Sequence, residues 1–241
     1  MPAGPSDPGR ACRGLGLPEI LVALAIGLFL VNGALSLFIG QLSAHRQRLL
    51  ALRLTQELRG AMTLIEHELR RAGHWGAAEA GLWIAGEADP LANPYAGLHP
   101  STGSGTELGY TYSRDASENQ QVDPAERFGF RLNPNTRTLE MRLSGAALTP
   151  ADGDSWQPVT DPTQVRITRL AVAARVSTLD LGSRCTAPCP AGASDCPPTL
   201  QARTVALELS GQASRDSSLT HTLRSVVHLR ADALQGRCPA G

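Results

Sequence analysis

An uninterrupted apolar run near the N-terminus constrains the fold of this chain more than any other feature. Residues 20–39 carry no charged side chain. As a helix they would span roughly 30 Å, which matches the hydrocarbon core of a bilayer. A short basic leader that ends at Gly14 precedes the run, and one carboxylate, Glu19, lies at its start. A charged group beside a membrane span is costly, so we interpret Glu19 as a functional residue that requires a partner.

The leader and Glu19 together resemble the class III signal of type IV pilins and of type II secretion pseudopilins. The resemblance implies that a prepilin peptidase cuts after Gly14 and that Leu15 becomes the methylated N-terminus. It also implies that Glu19 pairs with the amine of Leu15 on an adjacent subunit. Pro18 stands where an aliphatic residue is more usual, but the first turn of a helix tolerates proline. A plain membrane anchor with an incidental Glu19 is the alternative.

A helical pattern continues beyond the apolar run. Apolar residues recur at spacings of three and four, with polar residues between them. These positions are Leu50, Leu54, Leu58, Met62, Ile65 and Leu69. Gly73 follows Arg70 and Arg71, an arrangement that suits a helix C-terminus. We therefore expect one long helix, or two coaxial helices, from Pro18 to about Ala72.

The rest of the chain predicts strands. Segments that alternate between apolar and polar residues are 108–112, 128–132, 139–143, 165–176, 205–209 and 223–230. Asn133–Thr136 separates two of them and predicts a hairpin. Residues 76–106 are rich in Gly, Pro, Ala and Ser and predict an irregular surface segment. The fold class is therefore α+β: a pilin-like long N-terminal helix, with a membrane half and an amphipathic half, packed on an antiparallel β-sheet.

Residues 65–76, Ile-Glu-His-Glu-Leu-Arg-Arg-Ala-Gly-His-Trp-Gly, sharpen the resemblance. They are similar to the helix exit of PilW-type minor pilins. That resemblance implies a minor pilin that helps to prime assembly of the type IV pilus and is incorporated near its tip, with roles in cell adhesion and twitching motility. A minor pseudopilin of the GspJ type, or a membrane-tethered periplasmic binding module that does not polymerise, remains an alternative.

The same resemblance implies the partners of the chain. They are the prepilin peptidase, the other minor pilins, the major pilin, the inner-membrane assembly platform and a tip adhesin. The membrane is a further partner. The 22 basic and 22 acidic residues balance, so charge provides no argument for nucleic acid.

Cysteine placement indicates an oxidising compartment. Cys12 lies in the leader, whereas Cys185, Cys189, Cys196 and Cys238 all lie in the C-terminal quarter. An even number of cysteines outside the leader is consistent with two disulfides, for which three pairings are open. A zinc site is the rival, but the spacing lacks paired C-x2-C knuckles.

The arginines after the apolar run conflict with that compartment. Arg46, Arg48 and Arg53 would place the C-terminal domain in the cytoplasm by the positive-inside rule. The cysteines require an oxidising space, and the arginines fit the polar face of a continuing helix. We therefore expect a single-pass protein of the inner membrane with its C-terminal domain in the periplasm, which later enters a pilus on the cell surface.

Three segments organise the chain on this interpretation. Residues 1–14 form a leader that is removed, and residues 15–73 form the long helix, with its transmembrane part at about 20–39. Residues 74–241 form a β-rich globular domain outside the cytoplasm.

No motif predicts catalysis, a cofactor or a metal. The sequence contains no Gly-x-Ser-x-Gly, no His-Glu-x-x-His and no lysine for a phosphate loop. Glu66, His67 and Glu68 are neighbours whose side chains fan around a helix, so we expect a solvated face. Asp152 and Asp154 are too few for a calcium loop and predict a turn.

Overall fold

A single long helix opens the computed structural model, which describes residues 16–82 and 91–239. Helix α1 runs over Leu17–Arg71 and confirms the expected helix to within a residue at each end. The chain divides into two units, Met1–Leu49 and Leu50–Gly241. Every described residue of the first unit is exposed.

Two antiparallel sheets of five strands each form the second unit, where the sequence predicted one sheet. The strands are β1 Leu98–His99, β2 Gly103–Gly105, β3 Glu107–Thr111, β4 Arg127–Leu132, β5 Leu139–Ser144, β6 Ser155–Pro158, β7 Val165–Asp180, β8 Thr199–Ala213, β9 Asp216–His228 and β10 Ala233–Gln235. The first sheet has the order β1-β3-β4-β5-β6, and the second has β10-β8-β7-β2 with β9 also paired to β8. Short 3-10 helices cover Ala78–Gly81, Pro124–Glu126 and Gly182–Arg184.

The long predicted strands are confirmed. The hairpin around Asn133 joins β4 and β5, with Leu132 opposite Leu139. Residues 165–176 belong to one strand, β7, which pairs with β8 along its length. The irregular segment 76–106 was predicted incompletely, because it contributes β1 and β2. The strand Gly103–Gly105 has no apolar alternation and pairs with β7 only through its backbone, so no sequence pattern marks it.

A single apolar core unites the second half of α1 with both sheets. Leu58, Ile65 and Leu69 are fully buried on the helix. They belong to the same cluster as Phe130 of the first sheet and Leu209 of the second. Burial of each such side chain contributes about 1.5–3 kcal/mol before chain entropy is subtracted.

The helix ends at Arg71, and Gly73 follows as the terminating residue that the sequence predicts. Gly73 has φ +78°, which only glycine adopts without strain. Its N–H donates to the carbonyl of Thr111 at 2.8 Å, which joins the helix exit to β3. A Cβ atom here would lie 2.4 Å from the Cβ of Ala231, so space as well as φ excludes other residues.

A buried carboxylate joins the helix to the first sheet. The Tyr112 hydroxyl donates to Glu68 Oε2 at 3.1 Å, and Arg71 Nη1 lies 3.2 Å from Glu68 Oε1. The Arg71 guanidinium also lies 4.3 Å from the centroid of the Tyr112 ring. The prediction of a solvated face is therefore wrong for Glu68, which is 5% exposed, although the neighbouring His67 is exposed.

A buried ion pair closes the loop between β5 and β6. Arg142, which is fully buried, contacts Asp154 at 2.7 Å and donates to the carbonyls of Ala147 and Leu148. The predicted turn at Asp152 and Asp154 is present, but its two carboxylates differ. Asp152 is fully exposed and pairs with Arg131, whereas the side chain of Asp154 is buried.

We predict that Asp154→Asn destabilises the fold much more than Asp152→Asn. The first change leaves the Arg142 charge buried without its counter-ion, which costs about 3 kcal/mol. The second removes only a solvent-screened partner of Arg131. Urea unfolding of the full chain in detergent, followed by circular dichroism, measures both. Equal unfolding midpoints for the two variants would contradict the role given to Arg142.

We also predict that stability falls as pH rises from about 10 to about 12. Burial raises the pKa of Tyr112 to about 12, and the charge of Glu68 adds to the increase. Burial likewise raises the pKa of Tyr95 and Tyr110. The folded chain thus keeps phenolic protons that the unfolded chain loses above about pH 10, so rising pH favours unfolding.

Ultraviolet absorbance of tyrosinate and urea unfolding over this pH range test the tyrosine prediction. Tyr112→Phe should make the fall in stability shallower, because it removes one of the three titrating groups. Tyrosinate that appears at the ordinary pKa while the strands remain folded would show that the hydroxyls are not buried.

Candidate functional site

The start of the helix positions Glu19, the carboxylate that immediately precedes the apolar run. Gly16 accepts backbone hydrogen bonds from Glu19 at 3.0 Å and from Ile20 at 3.3 Å, so it acts as the N-cap. Pro18 lies in the first turn, where its missing N–H has no intrahelical partner to lose. Of the predicted processing residues, Gly14 and Leu15 lie outside the described residues, and Glu19 lies within them.

The Glu19 side chain completes this cap. Gly16 N–H donates to Glu19 Oε2 at 3.1 Å, which satisfies a backbone donor that the helix itself leaves free. The carboxylate is exposed, and within the described residues Oε1 accepts no hydrogen bond. A negative charge in the first turn is also favoured by the helix dipole. Glu19 is therefore held in position by one oxygen and can accept a further partner through the other.

The apolar segment that follows Glu19 exposes hydrophobic side chains around the helix, which is unfavourable in water. Leu21, Phe29 and Leu37 are 64%, 79% and 72% exposed, and they point in different directions around the helix. Helix α1 is long and apolar enough to cross a membrane. A Cβ atom at Gly27 or Gly33 would meet no side chain and no other segment of the described chain within 4 Å, so another helix could approach closely at both. The segment suits a bilayer or a bundle of similar helices.

Two disulfides occupy the four C-terminal cysteines. Cys185 bonds to Cys238 and Cys189 bonds to Cys196, so the short bridge lies inside the long one in sequence. This is one of the three pairings that the sequence left open. Bonded sulfurs are not available as zinc ligands, so the rival interpretation does not hold. Cys12 lies outside the described residues.

One acidic cluster is not evident from the sequence. Asp115, Asp123 and Glu126 place carboxylate oxygens within 4.8 Å of one another. Glu126 already accepts the N–H groups of Arg114 at 2.7 Å and of Asp123 at 3.0 Å. Asp123 and Glu126 thus form the capping box of the 3-10 helix Pro124–Glu126, and the spacing of the three residues in sequence matches no metal loop.

The model of a known protein family matches most of the chain. The family described as PpdB, prepilin peptidase-dependent protein B, matches residues 47–229, which are 183 of the 241 residues. The match begins after the apolar run, so it depends on the second half of the helix and on both sheets. It is therefore independent of the leader and of Glu19. No curated protein and no solved structure matches the chain.

Proposed function

Because the chain belongs to the prepilin peptidase-dependent protein B family, we propose that it is a minor pilin of the PilW type. In this proposal the leader is removed after Gly14, and the subunit helps to start assembly of a type IV pilus and stays near its tip. The family supports prepilin peptidase dependence and a pilin-like protein. The helix exit at residues 65–76 supports the more specific PilW type.

One observation carries this proposal: helix α1 has an exposed apolar half and a half that forms the core of a folded unit. Leu58 and Ile65 are fully buried, whereas Leu21 and Phe29 are exposed. The exposed half needs an apolar environment of its own. The membrane provides that environment before assembly, and the apolar halves of neighbouring subunits provide it in a filament.

Transfer of the apolar half of the helix from the membrane into a filament explains why a carboxylate, Glu19, lies at its start. Glu19 would be buried among apolar helices, where an unpaired charge is strongly disfavoured. Cleavage after Gly14 creates an amine on Leu15, and methylation leaves its positive charge in place. The Leu15 amine of one subunit can then pair with Glu19 Oε1 of the next. A subunit docks well only where the two charges meet, so the pair sets the register of assembly.

The remaining partners follow from this role. They are the other minor pilins, the major pilin, the inner-membrane assembly platform and a tip adhesin, and the globular unit faces the periplasm before assembly. The two disulfides support the oxidising compartment, because such bonds persist outside the cytoplasm.

We predict that Gly14→Val leaves the leader attached, because a branched side chain replaces the glycine before the cut. Gly16→Ala is the matched control: its new Cβ would lie 3.5 Å from the nearest Pro18 atom, an ordinary contact. Mass spectrometry of the N-terminal peptide distinguishes precursor from mature Leu15. Normal cleavage of the Gly14→Val chain would contradict the assigned processing site.

We predict that Glu19→Gln is cleaved normally but is incorporated poorly. The amide can still accept the Gly16 N–H, yet it leaves the neighbouring amine unpaired, which costs about 3–5 kcal/mol when buried. The amount in sheared pili should fall at least about tenfold. Glu57→Gln makes the same change later on the same helix and should incorporate normally.

Two results would contradict these roles. Wild-type levels of the Glu19→Gln chain in sheared pili would exclude the docking charge. A wild-type chain that is cleaved but missing from sheared pili would exclude the pilus and favour a secretion pseudopilin or a tethered module.

A further inference from the structure

Two arginines follow the apolar segment on the helix of the first unit. Arg46 and Arg48 are both exposed, and neither forms an ion pair or a hydrogen bond within the described residues. No acidic residue occurs in the sequence between Glu19 and Glu57. The positive charge of this stretch is therefore not compensated locally.

The positions of Arg46 and Arg48 along the helix lie just beyond the headgroup layer of a bilayer, within reach of their long side chains. Arg46 follows Ile39 by seven residues, or roughly 10 Å along the axis, and Arg48 by roughly 13 Å. The headgroup regions add about 10–15 Å in total to a hydrocarbon core of about 30 Å, or about 5–8 Å on each side, so both Cα atoms lie a few ångströms outside that layer. Flexible arginine side chains can lean back toward it, and the stem of Arg46 then passes over the exposed Leu42 one turn earlier.

The two arginines also point in nearly opposite directions, so the expectation that they share the polar face of a continuing helix is wrong for this pair. Two residues apart on an α-helix correspond to about 200° around the axis. A docking face for one protein partner would place its charges on one side, whereas lipid headgroups surround a spanning helix on all sides. The arrangement therefore favours a lipid surface.

We propose that Arg46 and Arg48 bind the phosphates of anionic phospholipids at the periplasmic surface of the inner membrane. This inference depends on the membrane-anchored state of the proposed function. The guanidinium group forms paired hydrogen bonds with phosphate oxygens, and basic residues beside a span are attracted to anionic headgroups. These contacts hold the subunit in the membrane and must break when it enters a filament. They also give these arginines a role on the side of the membrane where the positive-inside rule does not expect them.

Native mass spectrometry of the full chain tests this inference. The protein is purified in mild detergent with equal amounts of phosphatidylglycerol and phosphatidylcholine, and the lipids that remain bound are counted. The ratio of the anionic to the zwitterionic lipid should fall about fivefold or more in Arg46→Gln/Arg48→Gln. Arg59→Gln/Arg175→Gln removes the same charge from two exposed arginines of the second unit and should keep the wild-type ratio.

The possible outcomes separate this inference from the proposed function. A wild-type ratio in the Arg46/Arg48 variant, or an equal fall in the control, overturns the lipid site. If the lipid site is overturned in this way but the chain is still cleaved to Leu15, the proposed function remains intact. A chain with the expected lipid ratios that is never cleaved at Gly14 overturns the proposed function and leaves the lipid site.

Discussion

Burial of one apolar stripe on the second half of helix α1 is the interaction on which the globular unit depends. Leu58, Ile65 and Leu69 are completely buried and share one core with residues from both sheets. The stripe thus contributes to the core that both sheets share, and its loss would expose part of that core to water. The family match begins at residue 47, just before the stripe.

Buried charges give this core its specific arrangement. Glu68 joins the helix to β3 through Tyr112, and Arg142 holds the loop that follows β5. Arg203 of β8 is 8% exposed and donates to the carbonyls of Ala96 and Ala231, two loops far apart in sequence. Each such group is costly to bury, so the partners that it does have stabilise the fold, although Arg142 Nε and Arg203 Nε lack a hydrogen-bond partner among the described residues. These contacts favour one arrangement of the loops over others.

The parts of the fold that the sequence predicts are those in which burial repeats regularly. The helix and the β4–β5 hairpin are predictable, because their apolar residues recur with the period of the element. Strands β1, β2, β6 and β10 contain two to four residues each, and their pairing depends on the partner strand. A prediction from residue polarity alone also places Glu68 wrongly on the surface, because its burial depends on Tyr112, which is 44 residues later.

Some features of the candidate site are likewise predictable from the sequence, and others are not. The predicted processing signal that includes Gly14 and Glu19 lies within a few residues of sequence, so the prediction needs no structure. The disulfide pairing cannot be predicted in this way, because four cysteines allow three pairings and the sequence does not distinguish among them. The local hydrogen bond from Gly16 to Glu19 is also not predictable from the sequence, since the side chain could equally point into solvent.

The longer disulfide determines which part of the chain would carry tension. Strands β8, β9 and β10 all lie between Cys185 and Cys238, which are 53 residues apart. A pull on the two ends of the chain passes across the sulfur bridge, so roughly 180 Å of contour length cannot be released by stretching. The helix, the first sheet and β7 remain on the loaded path. Under force, three of the five strands of the second sheet would stay within one covalently closed loop even after their contacts with β7 had failed.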